Sequence, residues 1–225
     1  MKRSVLISLL LTLVCLSLFG VIAAAVEAEG ALTRFDFQQT ARLYHFASSS
    51  NAVWNFFAAV TDLGAGNPLR WFSYVLVIVA LAHLQFRLAF LCAAVMLLNH
   101  YSIDLLKESF ARARPPSAPL EMNPSFPSGH AQGSTVVYGL AIYLVFLRRP
   151  ESWFRWAAAG GLGALIVVIG LSRLMLGVHF FSDVLAGELM GIAWLGLAVA
   201  AVEWQRPASG PAPIHPKAGA PAPRA

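Results

Sequence analysis

Residues 4–25, 69–86, 87–108, 130–147, 156–173 and 183–202 are each long and apolar enough to cross a lipid bilayer. A hydrocarbon core about 30 Å thick needs about 20 residues at about 1.5 Å of helical rise each. Lipid offers nothing to backbone N–H and C=O groups, so such runs are expected as helices. Charge agrees: 12% of the 225 residues are charged and 58% are hydrophobic, against roughly 25% charged in soluble domains. Too little charge is left to clothe a soluble globule. The expected fold class is all-α, an integral-membrane bundle of six helices.

Lys2 and Arg3 precede the first run. Ala23, Ala24 and Ala25 also suit a cleaved signal peptide, but the run exceeds a signal core, which favours a retained anchor over residues 1–26. Residues 27–50 are mixed and polar. The stretch 51–60, rich in Trp and Phe, is too short to span and is expected in the outer interface as an amphipathic segment. The second span is short and contains His83. Residues 27–202 read as one domain, and the Pro/Ala-rich tail 203–225 as disordered.

Six spans starting inside leave Lys2, Arg3, Arg87, Arg148, Arg149, Arg155, Arg206, Lys217 and Arg224 on the inner side, and Glu27, Glu29, Asp36 and Asp62 outside. That is the positive-inside distribution. The net charge of +5 therefore marks membrane orientation and excludes a nucleic-acid partner. Cys15 and Cys92 stand alone in apolar runs, without the spacing of a metal site or a disulfide framework.

Basic residues break the charge rule in three places, all at the outer ends of spans. Lys107-ESFARA-Arg114-Pro115 closes the third span, Pro127-Ser128-Gly129-His130 opens the fourth, and Ser172-Arg173-LMLGV-His179-FFS-Asp183 links the fifth to the sixth. A transferring phosphoryl group must be held and neutralised through its oxygens. Lys107, Arg114 and Arg173 supply three cations, and an arginine fork suits bidentate phosphate contact. Pro115 predicts that the helix stops by Arg114. Ser128, Gly129 and His130 predict a helix N-terminus, which attracts anions. His179 and Asp183, four apart, share a helical face. Asp183 can fix the tautomer of His179 and free its other nitrogen to attack. His130 is then placed to protonate the departing oxygen and later to activate water. The three cations make a metal unnecessary, so no cofactor is expected.

These three stretches resemble the three motifs of the type 2 phosphatidic acid phosphatase (PAP2) superfamily, which also contains vanadium haloperoxidases and soluble bacterial acid phosphatases. KESFARARP, PSGH and SRLMLGVHFFSD fit without departure at a motif position, and the likeness covers roughly residues 55–200. It implies a helical bundle of that type, with His179 as nucleophile, Asp183 as its partner and His130 as acid. It further implies that Lys107, Arg114, Ser128, Gly129 and Arg173 bind phosphate. The substrate expected is a lipid phosphate or diphosphate at the outer face of a bacterial plasma membrane. Undecaprenyl diphosphate leads, with phosphatidylglycerol phosphate and phosphatidate as alternatives. Transfer of the phosphoryl group to a second lipid is the competing reaction. The bilayer is the expected environment, and no obligatory protein partner is evident.

Two packing expectations complete the reading. His100, Asp104 and Lys107 follow one face of the third span, so Asp104 is expected to hold Lys107. Gly187 and Gly191 form a small-xxx-small pair with Asp183 for close helix contact.

Overall fold

The computed structural model describes residues 1–119, 123–148 and 152–206. Among these residues it has eight helices and no strand: α1 (Arg3–Glu27), α2 (Ala31–Ser48), α3 (Asn51–Asp62), α4 (Gly66–Ala82), α5 (Phe86–Phe110), α6 (Gly129–Arg148), α7 (Trp153–Met175) and α8 (Phe181–Gln205). Helices α1, α5, α6, α7 and α8 each meet the length and hydropathy of a span, and α3 and α4 meet it together across a 44° bend. The multi-pass bundle is therefore the fold. The segment expected as interfacial is helix α3, which meets α4 at that bend through Leu63–Ala65. Leu13, Ile78, Phe90 and Val167 are all at least 60% exposed, as lipid-facing residues are in a bundle whose solvent is hydrocarbon.

Helix α8 runs through the middle, and small residues set how near its neighbours come. A Cβ on Gly187 would stand 2.5 Å from the Ser128 carbonyl, and one on Gly191 2.6 Å from Thr135 Cβ. The glycine pair thus presses α8 onto α6. On the other side Gly196 meets Ser8 and Thr12 of α1, and Thr12 Oγ1 donates to Ala193 O at 3.3 Å. With little hydrophobic drive between helices in lipid, close van der Waals contact and such interhelical bonds do the holding. Helix α1 is therefore built into the bundle along α8. A polar knot ties α5, α6 and α8: Gln132 Nε2 donates to Asn99 Oδ1 at 2.9 Å and Ser102 Oγ at 3.0 Å, and Trp194 Nε1 to Ser102 Oγ at 3.0 Å. Glu188, unexplained by the sequence, lies against α7, where a Cβ on Gly170 would stand 2.7 Å from its Oε1.

Both ends of the described chain meet at one end of the bundle. Lys2 Nζ donates to Glu203 O at 2.6 Å and to Arg206 O, and Tyr143 Oη to Glu203 Oε1 at 2.9 Å. The helix thus carries Glu203 through Gln205, which the sequence reading placed in the tail; residues 207–225 lie outside the described residues. Cys15 and Cys92 are buried packing residues with free thiols. The opposite end of the bundle gathers the end of α5, the starts of α6 and α8, the end of α7, and helices α2 and α3.

Candidate active site

Three local devices deliver the side chains to that end. Helix α5 stops at Phe110, ahead of Pro115, because Ala111 takes a left-handed conformation (φ 44°) and its N–H closes on Lys107 O at 2.9 Å. The chain from Arg112 to Arg114 is thereby released as an extended strap, which Ser125 clips through Arg112 O (2.9 Å) and Ala113 O (3.0 Å). Helix α6 starts at Gly129, with Ser128 O accepting Gln132 N–H at 3.0 Å. After α7, Gly177 at φ 65° reverses the chain, and Arg173 O takes the N–H groups of Val178 (3.1 Å) and His179 (3.3 Å). A side chain at Gly177 would be both strained and blocked by Tyr44, 2.6 Å from its Cβ.

The result is one cavity of about 890 Å³ whose wall includes Lys107, Arg114, Gly129, His130, Arg173 and His179. Six residues from five segments, spread over 73 positions from 107 to 179, meet there. Lys107 Nζ donates to Asn123 Oδ1 at 3.4 Å and to Pro124 O. Arg114 donates to Asn123 O through Nε (2.7 Å), to Asn123 Oδ1 through Nη2 (2.9 Å) and to Val178 O through Nη1 (2.6 Å). Arg173 Nη1 donates to Thr61 Oγ1 at 2.6 Å, and its buried Nε has no partner among the described residues. All three cations are thus held by neutral oxygens and stay available to an anion.

His179 and Asp183 pair as the spacing required, although His179 lies ahead of α8 and the pair spans the helix start. His179 Nδ1 is 3.3 Å from Asp183 Oδ2, and its Nε2 is 3.1 Å from Arg114 Nη1. A guanidinium has only donors, so Nε2 is the accepting nitrogen and Nδ1 carries the proton that Asp183 takes. Burial pushes the imidazole down to about 4, against the pull of Asp183, so the ring is neutral at physiological pH. Burial also lowers Arg114, with Asp183 opposing.

Asp183 and Ser128 stand behind the cavity wall, both fully buried. Ser128 N–H donates to Asp183 O at 2.9 Å, while its hydroxyl has no partner among the described residues. Gly129 is where α6 approaches α5 closely, with a Cβ falling 3.2 Å from Ile103 Cγ2. The expectation that Asp104 holds Lys107 is corrected. Asp104 faces His100 at 3.9 Å, because the Lys107 chain points up to the 123–124 strap.

Sequence reasoning missed four residues here. Asn123 orients two cations and Thr61 a third. Arg112 Nη1 donates to Asp183 Oδ1 at 2.6 Å and to Ser182 Oγ at 2.8 Å, and its Nη2 to Asp36 Oδ2 at 2.8 Å. Arg112 was visible inside the first motif stretch. Asp36, in α2, gave no signal beyond an acid among mixed residues.

Known proteins carry the same plan. A family model described as PAP2 superfamily matches residues 87–207. Phosphatidylglycerophosphatase B of Bacillus subtilis (strain 168) is 40% identical over 95 residues, 39% of this chain. That match spans 45% of the relative's length. Among solved structures, the first transmembrane PAP2 type phosphatidylglycerolphosphate phosphatase from Bacillus subtilis is similar at a TM-score of 0.79 and 26% identity, over 87% of this chain and 97% of that one.

Proposed function

This chain belongs to the PAP2 superfamily, and from that premise we propose that it hydrolyses the terminal phosphate monoester of phosphatidylglycerol phosphate. Undecaprenyl diphosphate, expected from the sequence, gives way to what was the alternative there, because both relatives are named for phosphatidylglycerol phosphate. The observation that carries the reading is the cavity itself. Three cations and the neutral His179 gather at one end of it. Toward α4 and α5 its wall includes the apolar Leu69, Val77, Ile78, Ala93, Met96 and Leu97, with Arg70, Asn99 and His100 among them. A phosphate head and an apolar chain fit that division.

The phosphate oxygens replace Nε2 of His179 as the acceptor of the Arg114 Nη1 proton, with Lys107 and Arg173 on the remaining oxygens. This frees the Nε2 lone pair. Nε2 attacks phosphorus in line, forming an N–P bond as the P–O bond to glycerol breaks. His130, protonated as the bound phosphate dianion offsets the surrounding cations, gives its proton to the departing oxygen. Asp183 steadies the positive charge that the ring acquires. Neutral His130 then takes a proton from water, whose oxygen attacks phosphorus, releasing inorganic phosphate and restoring His179. Charge neutralisation falls to the side-chain cations, which is why a metal is not required.

Lys2, Arg3, Arg148 and Arg206 at the far end of the bundle support a reading in which that end is cytoplasmic and the cavity opens at the outer face of a bacterial inner membrane. The test is phosphate release by purified protein from phosphatidylglycerol phosphate, phosphatidate and undecaprenyl diphosphate, with His179→Ala as control. Highest kcat/KM on phosphatidylglycerol phosphate supports the reading. Preference for the prenyl diphosphate by tenfold or more, about 1.4 kcal/mol, overturns the substrate.

A further inference from the structure

We infer that Asp36 of α2 is a positioning residue for the His179–Asp183 pair and acts through Arg112, an inference that rests on the reading of that pair given above. Asp36 is completely buried, and nothing in the chemistry just described uses it. One of its oxygens, Oδ1, accepts Ser182 N–H at 3.0 Å near the start of α8. The other, Oδ2, accepts Arg112 Nη2 at 2.8 Å and the Ser182 hydroxyl. Arg112 in turn donates to Asp183 Oδ1 at 2.6 Å, while Asp183 Oδ2 accepts Phe180 N–H at 2.9 Å and faces His179 Nδ1. The chain Asp36–Arg112–Asp183–His179 is unbroken.

Each link limits the next. Arg112, with its side chain 10% exposed, lies between the two buried carboxylates and pairs with both. Its planar fork reaches one carboxylate with each terminal nitrogen, so the direction of Asp183 is set by where Asp36 holds the far prong. With Oδ1 fixed by Arg112 and Oδ2 by Phe180, the Asp183 carboxylate cannot rotate, and the ring of His179 points Nε2 into the cavity. Aromatic contacts brace the same place. Phe37 stacks on Phe180 at 4.8 Å, Phe35 meets Phe181 at 5.8 Å, and Arg112 lies 4.3 Å over the Phe180 ring. Three consecutive residues of α2 thus grip residues 180–182.

The test uses full-length purified protein in mixed micelles with phosphatidylglycerol phosphate. Asp36→Asn keeps an acceptor for Ser182 N–H and removes the charge facing Arg112. The kcat is expected to fall about 10–100-fold, as for other partners that orient an active histidine, with KM within about threefold because the phosphate cations are untouched. The double variant Asp36→Asn/Arg112→Met removes one charge of each sign, so it remains measurable even where a single variant misfolds. Its kcat should match that of Arg112→Met alone, since the path runs through Arg112. An unchanged kcat in Asp36→Asn beside an inactive His179→Ala overturns the inference alone, as do losses that simply multiply in the double variant. Equal rates for wild type and His179→Ala overturn the site reading together with it.

Discussion

The Nε2 of His179 rests 3.1 Å from Nη1 of Arg114, so the nitrogen read as the nucleophile is occupied by the cation that would bind its target. An incoming phosphate resolves the two at once: it draws the guanidinium proton to itself and leaves the lone pair directed at phosphorus. Nucleophile and anion site are therefore coupled before any chemistry begins.

That coupling gives the first expectation. Asp183→Asn leaves Arg114, Lys107 and Arg173 in place but offers the Nδ1 proton a different partner, so the ring settles in the wrong tautomer. Turnover should drop by about 10³–10⁴-fold, the scale seen when an orienting carboxylate becomes an amide, while KM changes little. Steady-state kinetics check this, and a KM effect as large as the kcat effect would assign Asp183 to substrate binding.

Much of this site was legible in the sequence because the chemistry restricts residue types at fixed spacing. Lys107, Arg114, His130, Arg173 and His179 converge on one cavity as the three stretches required. What escaped was long-range or carried by the backbone. Asp36 reaches Arg112 across 76 positions, and no local pattern marks such a pair. Asn123 acts partly through its carbonyl, which any residue owns. Helix α2 was read as mixed and polar from its composition, yet it is a full helix pinned by aromatic contacts. The bend between α3 and α4 falls in the gap that the sequence reading left between residues 60 and 69.

Vanadate and chelators test the charge arrangement. Vanadate adopts the trigonal-bipyramidal shape of an in-line transfer, and the three cations should hold it, so competitive inhibition is expected. Activity should survive EDTA. Complete loss on chelation, restored by magnesium, would show that the side-chain cations do not suffice.

Acid should affect this site late. Burial holds the His179 imidazole down to about 4, below the ordinary value near 6.5. The folded pKa is depressed, so the unfolded chain binds the extra proton first. The stability this group contributes is full above pH about 6.5 and is lost as pH falls toward about 4. The same window governs chemistry, because protonated His179 cannot attack. At saturating substrate, where ionisation of the free lipid drops out, the acid limb assigned to His179 should lie near pH 4. A limb near pH 6.5 that vanishes in Asp183→Asn would place the imidazole in an ordinary, solvated setting.

The glycines of α8 set a packing limit. At Gly191 a Cβ would lie 2.6 Å from Thr135 Cβ and 2.9 Å from Gln132 O, and the second neighbour is backbone that cannot swing aside. Gly191→Val should cost about 1–3 kcal/mol through overpacking, read as a lower Tm in detergent. Gly160, which has nothing within 4 Å, should accept alanine without loss.

The apolar wall separates head-group chemistry from lipid recognition. Val77 of α4 and Ala93 of α5 line the cavity but carry no charge. Ala93→Trp fills space that an acyl chain would occupy, without touching Lys107, Arg114 or His179. Hydrolysis of long-chain phosphatidylglycerol phosphate should fall about tenfold or more, since several buried methylenes at about 0.8 kcal/mol each lose their place. A short, water-soluble phosphate monoester needs only the cationic end, so its kcat/KM should stay within about twofold of wild type. Equal losses on both substrates would mean that the tryptophan disturbs the site itself. Unchanged rates on the long-chain lipid would mean that its chains lie elsewhere on the bundle, and that this cavity admits only the phosphate and its glycerol.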